Sequence, residues 1–247
     1  MSKKFYIPRA YGKTSLKQSN LDWSNLVGEE AYFTDKQFRS EVLHFAQEIM
    51  KCAKNHILSI IEDLQKHNYR FASEGSVFKE PEPEITECIE TYRSKGVHIL
   101  ISLEAWLKTV GGVNLMGTLP GWDKTAYIFD DFKEKVEDVL ITDPLVVELP
   151  ISYFDVLYEE WQDQQEESGP FRIEIAPDDL HKANISGGPA YCMSTSSPAV
   201  DAIIINEVRC TSFMNYLRVA LRWKGFPGIE YIEDSNNFIT PHRKNLI

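Results

Sequence analysis

Residues 102–117, SLEAWLKTVGGVNLMG, decide the fold class, because an amphipathic helix pattern runs into two glycines and resumes as a shorter, flatter segment. Leu103, Trp106, Leu107 and Val110 recur at helical spacing, and Ser102 stands where an N-cap is expected. Gly111 and Gly112 then pose a choice between a ligand loop and a turn. A phosphate cradle needs a Lys-Ser or Lys-Thr pair and a following helix whose N-terminus holds the anion; here no such pair follows, and Val113 to Met116 reads as a strand. The two glycines are therefore expected to form a structural turn, one as a left-handed cap and the other allowing a sharp bend into the strand.

Upstream, TDKQFRSEVLHFAQEIMKCAKNHILSIIEDLQKHNY carries Phe38, Val42, Phe45, Ala46, Ile49, Ala53, Ile57, Ile60, Ile61 and Leu64 on one stripe. This predicts a helix over about 35–66, with Thr34 and Gln37 as a capping box; a bent helix or two shorter ones would fit as well. FKEPEPEITECIETYRSKG places Ile85, Cys88, Ile89 and Tyr92 on a second helix that stops at Gly96. Downstream, residues 118–138 read as a loop-rich insertion with a strand at 126–129, and a strand follows near 145–149, interrupted at Pro144. PISYFDVLYEEWQDQQEESG sets Ile151, Phe154, Leu157, Tyr158 and Trp161 on one side of a helix ended by Gly169-Pro170. FRIEIAP alternates as a strand with one wet face, 190–193 and 202–205 read as two more strands, and Phe213, Tyr216, Leu217, Ala220 and Leu221 mark a closing helix before Gly225. Helices first, strands in a run and a final helix predict an α+β domain, with a largely antiparallel sheet packed on one side by helices. The organisation read from the chain is a basic irregular lead-in (1–33), an N-terminal helical extension (34–79), the α+β domain (80–232) and a polar tail (233–247).

A length of 247 residues, 43% hydrophobic and 26% charged, fits one main domain and excludes disorder throughout. The longest apolar runs fall far short of the roughly 20 residues that span a bilayer, and the N-terminus lacks a signal-peptide h-region, so a cytoplasmic protein without a membrane partner is expected. Cys52, Cys88, Cys192 and Cys210 are scattered singly and read as free buried thiols.

The net charge is −11, of which the first twenty residues contribute +5, so the remainder carries −16. Such a body repels phosphate backbones, which argues against nucleic acid as its ligand, and attracts a basic protein. The charge concentrates on the helix over 152–167, where Asp155, Glu159, Glu160, Asp163, Glu166 and Glu167 occur with no basic residue between them. Like charges at helical spacing cost a few tenths of a kcal/mol per pair, and acids near the helix end oppose its dipole. These six residues are the candidate partner-binding set; plain surface acidity is the competing reading.

NISGGPAY (184–191) reads as a tight connection, and PDDLH (177–181) as a solvated loop, because Asp178, Asp179 and His181 do not put three ligands on one face. No nucleophile elbow surrounds any Ser or Cys. No catalytic residue, metal or cofactor is assigned.

Three segments together, WLKTVGGVNLMG (106–117), DPLVVEL (143–149) and TSFMNYLRVAL (211–221), give the chain an order of parts that resembles the SMI1/KNR4-like proteins of the SUKH superfamily over roughly residues 80–225. The resemblance implies a non-enzymatic binding protein, with immunity against toxins a common role in bacterial members. The long first helix, the 118–138 insertion and PDDLHKANISGGPAYCM depart from that pattern. The leading expectation is thus an immunity or antitoxin-type inhibitor that docks on a basic partner such as a toxin. One alternative is an enzyme or small-ligand binder with a pocket lined by Trp106, Trp122, Trp161 and Tyr191 near Asp178, Asp179 and His181. Another is a structural subunit of a defence or phage-related assembly.

Overall fold

The computed structural model describes residues 36–73, 75, 77–118, 141–163, 169–185 and 187–231. The first element, α1 (Lys36–Lys66), is one uninterrupted helix that buries Val42, Ala46, Ile49, Met50, Ala53, Ile57, Ile60 and Leu64. This face packs against the helix that opened the sequence reading, α3 (Ile101–Thr109), and joins the same core cluster as the rest of the chain. Within the N-terminal helical extension (34–79), the apolar stripe of α1 is thus covered by the α+β body. Thr34 lies outside the described residues.

Between them, α2 (Ile85–Ser94) buries Ile85, Cys88, Ile89 and Tyr92 and ends at Gly96, whose φ of +86° makes it a left-handed stop. α3 is buried on every side from Ile101 to Leu107, which identifies it as the central helix, flanked by α1, α2 and α6 (Phe213–Arg222). Its cap differs from expectation. Leu100 is the extended N-cap, and Ser102 sits inside the first turn, where its hydroxyl donates to Asp201 at 2.9 Å. The amides of Ile101 and Ser102 are satisfied instead by the carbonyls of Ala199 and Val200, so the 199–201 segment does what a capping side chain would. The Asp201 carboxylate also accepts from the Met214 amide and so ties the starts of α3 and α6 together.

The strands are short and antiparallel: β1 (Arg70–Phe71) pairs β4 (Gly117–Thr118), β3 (Gly112–Asn114) lies between β2 (Phe78–Lys79) and β5 (Val146–Val147), and β6 (Arg172–Ala176) pairs β7 (Tyr191–Ser194). The mixed α+β architecture is as expected, but the described strands form three small sheets and not one. β5 and β6 lie side by side without a ladder between them. The Tyr216 side chain of α6 lies beside the Val146 backbone of β5. Residues 202–205, expected as a strand, make only two isolated bridges, and Ile203 is 61% exposed. The turn beyond them holds Asn206 and Cys210 at positive φ, which breaks the extension. The strand expected at 126–129 lies outside the described residues. No helix among the described residues is long and apolar enough to cross a membrane.

Candidate functional site

The acidic helix is α4 (Ile151–Asp163). Pro150 precedes it, and the Glu82 carboxylate accepts from the Ile151 amide at 2.9 Å, placing a negative group at the positive end of the helix. Phe154 and Leu157 anchor α4 in the core, while Tyr158 and Trp161 stack against Phe171 with ring centroids 5.6 and 5.5 Å away. This packing turns Asp155, Glu159, Glu160 and Asp163 to solvent, with Val156 exposed among them at 46%.

The four acids are not equivalent. Asp155 accepts from the Tyr92 hydroxyl and borders a hollow of about 270 Å³ with Glu159 and Lys95. Lys95 is held over the rings of Tyr92 and Tyr158, 4.5 and 4.6 Å from their centroids, so this cation is committed to aromatic faces. Burial, then Asp155, pushes the Tyr92 hydroxyl up from its ordinary value. Among the described residues no ion pair engages Glu159, Glu160 or Asp163. Glu166 and Glu167 lie outside the described residues.

Beside the start of α4 runs a groove of about 480 Å³, opened by the missing β5–β6 ladder. Its apolar lining includes Val146, Pro150, Ile175 and Ala176; its polar lining includes Glu148, Glu174, Asp178 and His181. Glu148 pairs with Lys79 and accepts from Asn114 at 3.4 Å, while Glu174 accepts from the Tyr153 hydroxyl at 2.8 Å. Three carboxylates thus face one ammonium and the half-exposed His181 ring.

Asp178 was expected in a solvated loop, yet it is 5% exposed and N-caps α5 (Asp179–Lys182), accepting from the amides of Leu180 and His181. Burial pushes its carboxyl up, but the hydrogen bonds from the His181 ring and from the His181 and Gly188 amides outweigh it and hold the group below the ordinary aspartate value. A Cβ on Gly187 would lie 2.2 Å from Asp178 Oδ1, so this glycine lets the backbone close over the carboxylate. Among the described residues no three His, Cys, Asp or Glu side chains are grouped to hold a metal ion.

Gly111 has φ +92°, and a Cβ there would stand 2.2 Å from the Lys79 carbonyl oxygen, so α3 turns into β3 hard against the backbone of β2. Gly112 meets only ordinary contacts. The pocket expected from Trp106, Trp122, Trp161 and Tyr191 does not form as read: Trp106 and Tyr191 are fully buried core residues, Trp161 packs on Phe171, and Trp122 lies outside the described residues. Two of the four thiols, Cys52 and Cys210, are exposed, one on the outer face of α1 and one in the 206–210 turn, which corrects the expectation that all four are buried.

Two charged clusters escaped the sequence reading. Glu104, fully buried in α3, accepts from Arg39 of α1, from Arg93 of α2 at 3.1 Å and from Lys108 at 2.7 Å. Its burial pushes the carboxyl up, but Lys108 and Arg39 outweigh that and hold it below the ordinary range. Lys182, also fully buried, donates to Asp143 at 2.6 Å and to Tyr216 at 3.2 Å, and lies 4.4 Å from the centre of the Tyr191 ring. Arg209 extends this cluster to Asp143 and Glu207. A carboxylate set among the mostly apolar residues of 100–107, as at Glu104, was the available signal; Lys182 stands in a polar stretch and carried none. In comparisons with known proteins no family model matches the chain, no curated protein matches it, and no solved structure matches it.

Proposed function

We propose that the chain is a non-enzymatic protein-binding module that docks on a basic protein through the outer face of α4, in the manner of an immunity or antitoxin-type inhibitor. The observation that carries this reading is the set of Glu159, Glu160 and Asp163, solvent-facing, without an ion pair among the described residues and on the same side of α4 as the exposed Val156. Uncompensated charge of one sign costs a helix stability, and it raises the rate at which an oppositely charged partner finds the surface. An apolar side chain at its centre supplies the dehydrated contact that charge alone does not. The order of parts that resembles SUKH proteins supports the same reading, as does the −16 carried by residues beyond the first twenty. The test is affinity capture from source cells with the wild-type chain and with the triple variant Glu159→Lys, Glu160→Lys, Asp163→Lys. A basic protein retained by the first and lost from the second supports the proposal. Identical captured sets on both contradict it.

A further inference from the structure

The groove between β5 and β6 is a different surface from the outer face of α4, and its chemistry is more selective. We propose that it receives one arginine side chain carried on an extended segment of the basic partner; this rests on the binding-module reading above. A volume of about 480 Å³ suits one long side chain with its flanking backbone and is small for a folded element. Val146, Pro150 and Ala176 line the groove with apolar surface that a methylene stem can cover, and Glu148 and Glu174 line it with carboxylates that a charged head can reach. Each of these two carboxylates spends only part of its accepting capacity within the protein: Glu148 on Lys79 and Asn114, Glu174 on the Tyr153 hydroxyl. A carboxylate has about four lone-pair sites, so both keep room for further donors. A guanidinium, with five N–H groups fixed in a plane, can address two separated carboxylates at once, which a point-like ammonium does less well. Asp178 is occupied by its cap and by His181 and adds field without offering a free oxygen edge. The same field repels phosphate and carboxylate ligands.

The test uses the full chain and two tripeptides, acetyl-Gly-Arg-Gly-amide and its citrulline isostere, which keeps the shape and removes the charge. Two-dimensional amide NMR titrations should give saturable shifts at Ile175, Ala176 and Gly188 with the arginine peptide, at a dissociation constant of about 1 mM, and at least about tenfold weaker binding of the citrulline peptide. The double variant Glu148→Gln, Glu174→Gln should weaken the arginine peptide about fivefold or more while retaining a dispersed spectrum. Equal responses to the two peptides, or no saturable shift at the groove, overturns the proposal without requiring any variant to fold. Shifts confined to Glu159, Glu160 and Asp163 overturn the groove proposal and leave the α4 docking face standing, since that face is tested separately by capture with its charge-reversed variant.

Discussion

Substituting Glu104 with Gln keeps the volume and removes one charge from the point where three helices meet. The carboxylate is shut off from water, and its partners Arg39, Arg93 and Lys108 come from α1, α2 and α3, with side-chain exposures of 20, 28 and 15%. Removing one partner of a buried ion pair costs about 3–5 kcal/mol, chiefly because the other charge is left without compensation. Here the cations are partly wet and can turn towards solvent, so the expected loss is smaller, about 2–3 kcal/mol. For a chain of this size that corresponds to a fall in Tm of about 5–10 °C. The sign of the pH dependence follows from the depressed pKa of Glu104. The stabilisation is fully present above the unfolded glutamate value of about 4.3 and is lost as pH falls through the lower folded value. Urea unfolding followed by far-UV circular dichroism at pH 7 and at steps down to pH 3 should therefore show a gap between wild type and E104Q that narrows only in the acidic range. A loss below about 0.5 kcal/mol at pH 7, or a gap that stays constant to pH 3, would refute the claim that this carboxylate joins the three helices.

Other expectations follow from single positions. Gly111→Ala should cost about 3 kcal/mol or more in urea unfolding, because φ +92° and a 2.2 Å approach to the Lys79 carbonyl leave no place for a Cβ, whereas Gly112→Ala should stay within about 1 kcal/mol. Lys182→Met should lower stability by about 2–4 kcal/mol by leaving buried Asp143 with only its longer contact to Arg209 at 3.5 Å, and Tyr216→Phe by about 1–2 kcal/mol, both read by calorimetric melting. Asp178→Ala should weaken the cap of α5 by about 1 kcal/mol and speed hydrogen exchange at the Gly188 amide; the carboxylate's contribution, like that of Glu104, is present above the unfolded aspartate value and fades as pH drops through the lower folded one.

Periodicity alone located α1, α2, α4 and α6, because each has one face that must be buried and the apolar residues mark it. α3 was found as a helix but misread at its start. Ser102 has the chemistry of a cap, and only the approach of Ala199 and Val200, nearly a hundred residues away in sequence, makes a side-chain cap unnecessary. The division of the sheet was hidden as well: alternation marks which face of a strand is buried, and nothing local in β5 or β6 says whether the two will pair. At the candidate site, Asp155, Glu159, Glu160 and Asp163 all lie on α4, but Asp155 is engaged by the hydroxyl of Tyr92, a residue 63 positions away. The groove could not be read at all, since Glu148, Glu174 and Asp178 converge only after β5, β6 and α5 are placed.

The central claim is that negative potential on α4 drives recognition. Its most direct measurement is the dissociation constant of the captured partner, determined by titration calorimetry across a series of salt concentrations for wild type and for the Glu159→Lys, Glu160→Lys, Asp163→Lys variant. The account predicts affinity that falls as salt rises for wild type, and binding at least about tenfold weaker with a flatter salt dependence for the variant. Equal affinities and equal salt slopes for the two proteins would contradict it.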